Sequence, residues 1–283
     1  MSVLSSESFY WVNDQIIYIP ARYTVDSEGN AICTHTFSLD HAFDGCTSVD
    51  TEGLYNAFQR CTGITSVSFP ELTIIGDYGL YFAFNGCTGI TGNVSFPELT
   101  SIGTSGLYYA FSGCTGITGN VSFPELTSIS DDGLSGAFRG CTGITSVSFP
   151  ELTIIGDYGL YDAFNECTGI TSVSFPKLTS VGEQGLYFAF HGCTDITGSI
   201  SFPELTSIDY AGLEGAFHGC TRITSVSFPE LTSIGDSGLS DTFEGCTGIT
   251  EIHFRSDAQS TVEAEYNYRY KFGATNATIY FDL

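Results

Sequence analysis

The chain has 283 residues and carries 32 acidic against 8 basic side chains, a formal net charge of −24 at pH 7. That balance excludes a nucleic-acid binder working by phosphate neutralisation and argues against docking on anionic lipid. Hydrophobic residues make up 42%, with 23 Phe and 16 Tyr, so this is not a disordered acidic tail and a large core is within reach.

No run is long and apolar enough to cross a bilayer, so membrane insertion is not expected. The first residues, M-S-V-L-S-S-E-S-F-Y-W-V, lack the basic start and continuous apolar stretch of a secretory signal. The expected location is therefore the cytosol, or the outside by another route, such as a virion surface. Within residues 1–38, Ile16–Val25, then D-S-E-G-N, then Ala31–Phe37 reads as a β-hairpin. It is expected to cap the apolar end of a stack, or to anchor the chain to other virion or surface-assembly proteins. Residues 39–60 read as a truncated first repeat. Leu39–Cys46 (L-D-H-A-F-D-G-C) matches the back of a later unit, but Cys46 and Cys61 are too close for a strand to fit between them.

From Cys61 to Gly245 the chain repeats. Cys recurs at 61, 87, 114, 141, 167, 193, 220 and 246, in steps of 26 or 27, and Pro keeps the same rhythm from Pro70 to Pro229. A period of this size marks a solenoid. The longer units insert one residue, Asn93, Asn120 or Ser199, which a β-bulge would absorb. In I-T-S-V-S-F, Ile64, Val67 and Phe69 fit a short strand turning three apolar groups inward; Pro stops the strand, and Leu72 and Ile75 add a second inward pair. After a G-D-x-G turn, Leu80, Ala83, Phe84 and Cys87 follow i, i+3, i+4, i+7 spacing, which predicts one or two helical or 3-10 turns on the back of each coil.

These motifs resemble the BspA-like (Treponema pallidum-type) leucine-rich repeats of bacterial surface proteins. The matching stretch, I-T-S-V-S-F-P-E-L-T-S-I-G…A-F-x-G-C, recurs over about residues 40–255. The departure is a G-L-x-x insertion before A-F. The resemblance implies an α/β repeat solenoid: a right-handed leucine-rich-repeat superhelix with a parallel sheet on one side and short helical or 3-10 turns on the back. Seven to eight coils would give a sheet about 35–40 Å long. It also implies adhesion to a cell-surface protein or glycan. Residues 246–283 are expected to form a C-terminal cap. A strand (Ile249, Ile252, Phe254) comes first, then a short helix from a Ser256/Gln259 capping box to about Tyr270, then a final strand A-T-I-Y-F-D.

Equivalent positions of a solenoid stack about 4.8 Å apart, so function is to be sought in columns. The Cys column is expected to hold free, buried thiols, because parallel Cβ vectors at that spacing do not suit a disulfide. Glu71, Glu98, Glu125 and Glu151 begin an acidic column, interrupted by Lys177, that is a weak candidate for cations and otherwise a solvated rim. An Asp-rich row in the turn (Asp77, Asp131, Asp157 and equivalents) follows from turn chemistry.

The strongest candidate surface is aromatic: Tyr55, Tyr78, Tyr81, Phe82, Tyr108, Tyr109, Tyr158, Tyr161, Tyr187 and Phe188. Leu and A-F fill the core positions, so these rings should point largely outward, and the same positions hold Ser135-Gly136, Glu214-Gly215 and Ser240-Asp241 elsewhere. Variation concentrated there is what a recognition surface would show. The alternative is that the rings lie down on neighbouring coils. No recurring nucleophile, metal motif or phosphate loop is present, so no enzyme and no cofactor are expected. The function expected is recognition of a cell-surface protein or glycan, with a phage-tail receptor-binding component as one form. The alternative is a rigid spacer within a larger particle.

Overall fold

A computed structural model describes residues 36–265 and 268–283, and before them the backbone of four strands, Ser8–Val12, Gln15–Ile19, Tyr23–Val25 and Ala31–Cys33. These four form two antiparallel pairs, with Tyr10 opposite Ile17 and Thr24 opposite Ile32. Tyr23–Val25 thus pairs with Ala31–Cys33 on either side of D-S-E-G-N as expected, while Gln15–Ile19 pairs with Ser8–Val12 instead. The capping or anchoring role expected of residues 1–38 lies outside the described residues.

From Phe37 onward the chain winds as a parallel β-solenoid of about nine turns. Each coil contributes to parallel ladders. The first ladder is built from three successive parallel sheets: Phe37–Leu39 with Ile64–Val67; Thr118–Ser122, Gly143–Ser148 and Ser172–Ser174; and Thr197–Ser201, Arg222–Phe228, Glu251–Phe254 and Thr278–Phe281. The second is built from two-residue strands in two parallel sheets, Ser48–Val49 to Ser101–Ile102 and Ser128–Ile129 to Ser233–Ile234. The bulges fall as expected: register shifts between Gly119 and Asn120 and between Gly198 and Ser199. Glycine precedes each inserted residue because it takes a positive φ there, +79° at Gly92, +84° at Gly119 and +80° at Gly198.

The core is a set of side-chain columns. Phe69, Phe96, Phe123 and Phe149 begin a column that continues to Phe254 with ring centroids 5.1–6.0 Å apart. A second column runs from Phe58 to Phe243 at 5.1–6.1 Å. The columns meet edge to face, as at Phe149–Phe164, 6.5 Å and 69°, the arrangement favoured by the ring quadrupole. Leu80, Ala83 and Cys87 and their equivalents close the core behind them, buried except for the partly buried Ala57 of the first coil.

The back of the coil is where the expected architecture is corrected. Leu80, Ala83, Phe84 and Cys87 are all buried, yet no helix forms. Alternate amides bond within the segment, Ala83 N–H to Leu80 O (3.0 Å) and Cys87 N–H to Phe84 O (3.0 Å), while those between them cross to the next coil: Leu80 to Gly106 O (2.7 Å), Phe82 to Tyr108 O (2.9 Å) and Phe84 to Ala110 O (2.8 Å). Every fourth residue is left-handed, as at Tyr78 (φ 56°), Phe82 (φ 50°) and Gly86 (φ 72°). An α-helix closes all its bonds within its own segment. Here half of them cross-link coils, so the helical layer of an α/β solenoid is replaced by a third, turn-built ladder. Among the described residues, helix is confined to Gln259–Ala264 and a 3-10 segment Tyr268–Gly273 near the C-terminus. That helix has Ala258 as its N-cap without a side-chain cap bond, so the expected Ser256/Gln259 box is not used. Ser256 N–H instead bonds Leu283 O (3.0 Å). No helix among the described residues is long and apolar enough to cross a membrane.

The expected truncated repeat at 39–60 is also corrected. Leu39 pairs in the first ladder opposite Val67, Phe43 lies against Phe69 at 4.8 Å, and Val49 pairs opposite Ile75. Leu39–Cys46 therefore occupies the strand and the front corner of a coil, not its back. Cys61 rather than Cys46 starts the stacked cysteine column, so Phe37–Cys61 forms one whole coil with Phe37–Leu39 as its strand.

Candidate recognition surface

The turn-built ladder fixes the aromatic positions. Tyr55, Tyr81 and Tyr108 stand one coil apart with rings parallel, centroids 4.7 and 4.8 Å apart and planes within 3° and 6°. Phe82 and Tyr109 stack similarly (5.4 Å, 11°), as do Tyr161 and Tyr187 (4.8 Å, 9°). Tyr78 and Tyr158 branch from left-handed backbone (φ 56° for both). Tyr55 and Tyr78 are exposed; Tyr81, Phe82, Tyr108, Tyr109, Tyr158, Tyr161, Tyr187 and Phe188 are half-buried. The rings thus form two blocks, Tyr55–Tyr109 and Tyr158–Phe188, with faces turned largely toward one another and edges outward. Burial pushes the Tyr81, Tyr108, Tyr109, Tyr161 and Tyr187 hydroxyls above the usual tyrosine range. Tyr158 is raised chiefly by its hydrogen bond to Glu183 Oε1 (3.1 Å).

Two breaks in the aromatic pattern have a packing cause. A Cβ at Gly136 would lie 2.5 Å from the Tyr109 ring, and one at Gly215 would lie 2.8 Å from Phe188. The last ring of each block lies down on the glycine of the following coil. The sequence shows the Gly only as variation; the ring that requires it is one coil earlier.

Carboxylates border this ridge. Some of the turn row is structural: Asp77 Oδ1 accepts the Thr104 N–H (2.8 Å), Asp131 Oδ1 that of Asp157 (3.2 Å), and Asp157 Oδ1 that of Glu183 (2.8 Å). Asp132 is raised by burial and by Asp131. In the strand-exit column Glu71, Glu98 and Glu125 are exposed and Glu151 pairs with Lys177 at 2.5 Å. Among the described residues no group of three or more His, Cys, Asp or Glu is arranged to hold a metal ion.

Nine cysteines are buried; Cys33 lies outside the described side chains. From Cys87 to Cys246 each thiol donates to the carbonyl of the Phe in the preceding coil, at 2.9–3.2 Å. Burial pushes Cys114, Cys167 and Cys246 up to about 12, so the thiolate is suppressed. His191 and His218 stack at 4.8 Å, and burial, then His218, lowers His191.

Two hollows went unseen in the sequence. One of about 420 Å³ lies between the last second-ladder strand and the C-terminal helix, lined by Ile234, Gly235, Asp236, Ser237, Thr261, Ala264 and Glu265. The other, about 310 Å³, is lined by Glu52, Tyr55 and Tyr78. The first depends on how the helix packs, which no local pattern encodes. The second could have been found by aligning Glu52 with Tyr78, but the misplaced first repeat concealed that column.

The BspA-type leucine-rich-repeat region model matches residues 54–161 and 134–272, in 6 copies. The chain belongs to the BspA-type leucine-rich-repeat family. Among solved structures, a leucine-rich repeat protein of T. pallidum aligns over 93% of this chain and 96% of its own at 16% identity, with a TM-score of 0.39. A leucine-rich cell surface protein of Faecalibacterium prausnitzii aligns over 98% and 95% at 16% identity, with a TM-score of 0.40. Comparison with curated proteins gives no match. In this BspA-type chain the G-L-x-x segment forms one four-residue turn on the back of the coil, with Leu80 buried and Tyr81 half-buried outside it. That segment carries Tyr55, Tyr81, Phe82, Tyr108, Tyr109, Tyr161, Tyr187 and Phe188, while Tyr78 and Tyr158 stand just before it.

Proposed function

We propose that this protein is a non-enzymatic recognition protein that binds a protein or glycan on a cell surface through the ridge formed by Tyr55, Tyr78, Tyr81, Phe82, Tyr108, Tyr109, Tyr158, Tyr161, Tyr187 and Phe188. One observation carries the reading. Near-identical coils differ most at the outward positions of the back ladder, where rings, Ser, Gly and carboxylates alternate, while the inward positions barely change. Exposed aromatic patches favour protein and ligand contacts. The family, and the leucine-rich cell surface protein among the similar structures, agree with display at a surface; a phage tail is one carrier that gene neighbours coding for tail or baseplate proteins would support.

The test is the double variant Tyr81→Ala, Tyr108→Ala in whole-cell binding and glycan-array assays, with circular dichroism to monitor the fold. Loss of binding at an unchanged spectrum is expected; full binding by the variant would overturn the reading. A second reading, a rigid spacer in a larger particle, is supported by Tyr109 and Phe188 lying on Gly136 and Gly215. It would be favoured if no cell or glycan is bound and the protein is firmly incorporated in a particle.

A further inference from the structure

The aromatic ridge contains the same patch twice. The segments L-T-I-I-G-D-Y-G-L-Y at 72–81 and 152–161 are identical. Each exposes an isoleucine on the outer side of the second ladder, Ile74 and Ile154, both 48% accessible, where Ser101, Ser128, Ser180, Ser207 and Ser233 stand in the other coils. Each places a tyrosine, Tyr78 or Tyr158, on left-handed backbone, with Tyr81 or Tyr161 beside it (5.7 and 6.1 Å).

The coil before each patch supplies a carboxylate at the equivalent left-handed position. Glu52 (φ 58°) precedes Tyr78, and Asp132 (φ 55°) precedes Tyr158. The amides confirm the equivalence: Glu52 N–H bonds Asp77 O, and Asp132 N–H bonds Asp157 O, each 2.9 Å. Glu52, Tyr55 and Tyr78 line the 310 Å³ hollow, and the Asp132 charge acts on the Tyr158, Tyr81 and Tyr108 hydroxyls. A carboxylate one coil from a tyrosine, beside an exposed isoleucine, suits a cation on an aliphatic stem. The back ladder here carries Arg60, in the coil of Glu52, and Arg139, by Tyr109, while the whole chain is at −24.

Resting on the recognition reading above, we propose that the two patches bind two cationic side chains of one extended, Arg- or Lys-bearing protein segment laid along the solenoid axis. Charge complementarity identifies the partner as basic, which disfavours a second copy of this acidic chain. The duplication sets the spacing. Three coil steps at the 4.7–4.8 Å measured between stacked tyrosines put the patches about 14 Å apart, which an extended chain spans in about four residues.

The test uses a fluorescein-labelled peptide with two arginines about four positions apart in a Thr/Ser/Pro background, titrated with the full chain and read by anisotropy. Glu52→Gln and Asp132→Asn should each weaken binding roughly three- to tenfold, each single variant binding the peptide as wild type binds a one-arginine peptide and the double variant as wild type binds an all-glutamine one. Affinity should fall between about 0.05 M and about 0.3 M salt. Equal binding of an all-glutamine control, or unchanged affinity in both variants, overturns the proposal. If cells are bound in a Tyr81-dependent way while the peptide is not, this proposal fails and the recognition reading stands. If Tyr81→Ala, Tyr108→Ala leaves cell binding intact, the ridge reading itself fails.

Discussion

Gly136→Ala separates backbone need from ring packing on the ridge. At φ +61° a Cβ at this position would stand 2.5 Å from Cε2 and Cζ of Tyr109 and 2.7 Å from Cδ2. Ordinary carbon contacts begin near 3.5 Å, so the ring has to move by about 1 Å. Left-handed backbone alone costs an alanine about 1–2 kcal/mol. It is tolerable here, since Phe82, Tyr109, Asp162, Phe188 and Asp241 hold the same position at φ 48–53°. Disturbing the Tyr109 ring, which stacks on Phe82 at 5.4 Å, adds about 1 kcal/mol. The expected destabilisation is therefore about 2–3 kcal/mol. In a Tyr109→Ala background only the backbone share should remain, leaving a coupling energy of about 1 kcal/mol. Urea unfolding of wild type, both single variants and the double variant, followed by far-UV circular dichroism, measures it. Midpoints and slopes are compared together because repeat arrays can lose all-or-none behaviour. Additivity within about 0.3 kcal/mol would refute the claim that Gly136 exists for the ring.

The thiols of the folded chain should react very slowly with a thiol reagent at pH 8, because burial pushes them up, Cys114, Cys167 and Cys246 to about 12. Denatured, unreduced protein should react at nearly all 10 cysteines; few reactive thiols would show that disulfides were present. The C-terminal strand should be pH-dependent through His253. Its Nδ1 lies 2.9 Å from Asp282 Oδ1, its Nε2 lies 3.5 Å from Glu251 Oε2, and its ring stacks on Tyr280 at 4.9 Å. The Asp282 hydrogen bond raises it above 6.5 most, ahead of a smaller opposing effect of burial and the help of Glu251. The sign follows: the folded state binds the proton more tightly, so this stabilisation is complete below about pH 6.5 and fades as pH rises through the folded value. The thermal midpoint difference between wild type and His253→Gln should shrink from pH 5.5 to pH 8.5; an unchanged difference would remove His253 from the account.

Much of the candidate surface was legible one residue at a time, and its arrangement was not. The residues were marked by contrast, since Tyr81 or Tyr108 stand where other coils have Ser135 or Glu214. Their orientation was not, because whether a ring stands out or lies down depends on the side chain one coil away, 26 or 27 residues off in sequence. Tyr81 meets Tyr108 and stacks; Tyr109 meets Gly136 and lies on it. The misplaced coil at 39–60 had a similar cause. Phe43 follows Leu39 and Ala42 at a spacing that mimics the back of a unit, and only pairing of Leu39 with Val67 and Val49 with Ile75 sets its register.

The sequence by itself determined the solenoid, its 26–27-residue period, the inward columns and the bulge positions, because each coil repeats the same inward apolar pattern and the extra residue has one place to go. Tertiary structure decided the back of the coil. Apolar residues at i, i+3, i+4 and i+7 are buried equally well by a helix or by turns with every fourth residue left-handed. The choice rests on amides such as those of Leu80, Phe82 and Phe84, which find carbonyls on Gly106, Tyr108 and Ala110 of the next coil. Those partners exist only once the neighbouring coil has folded, and with them comes the ladder that sets the tyrosines 4.7–4.8 Å apart.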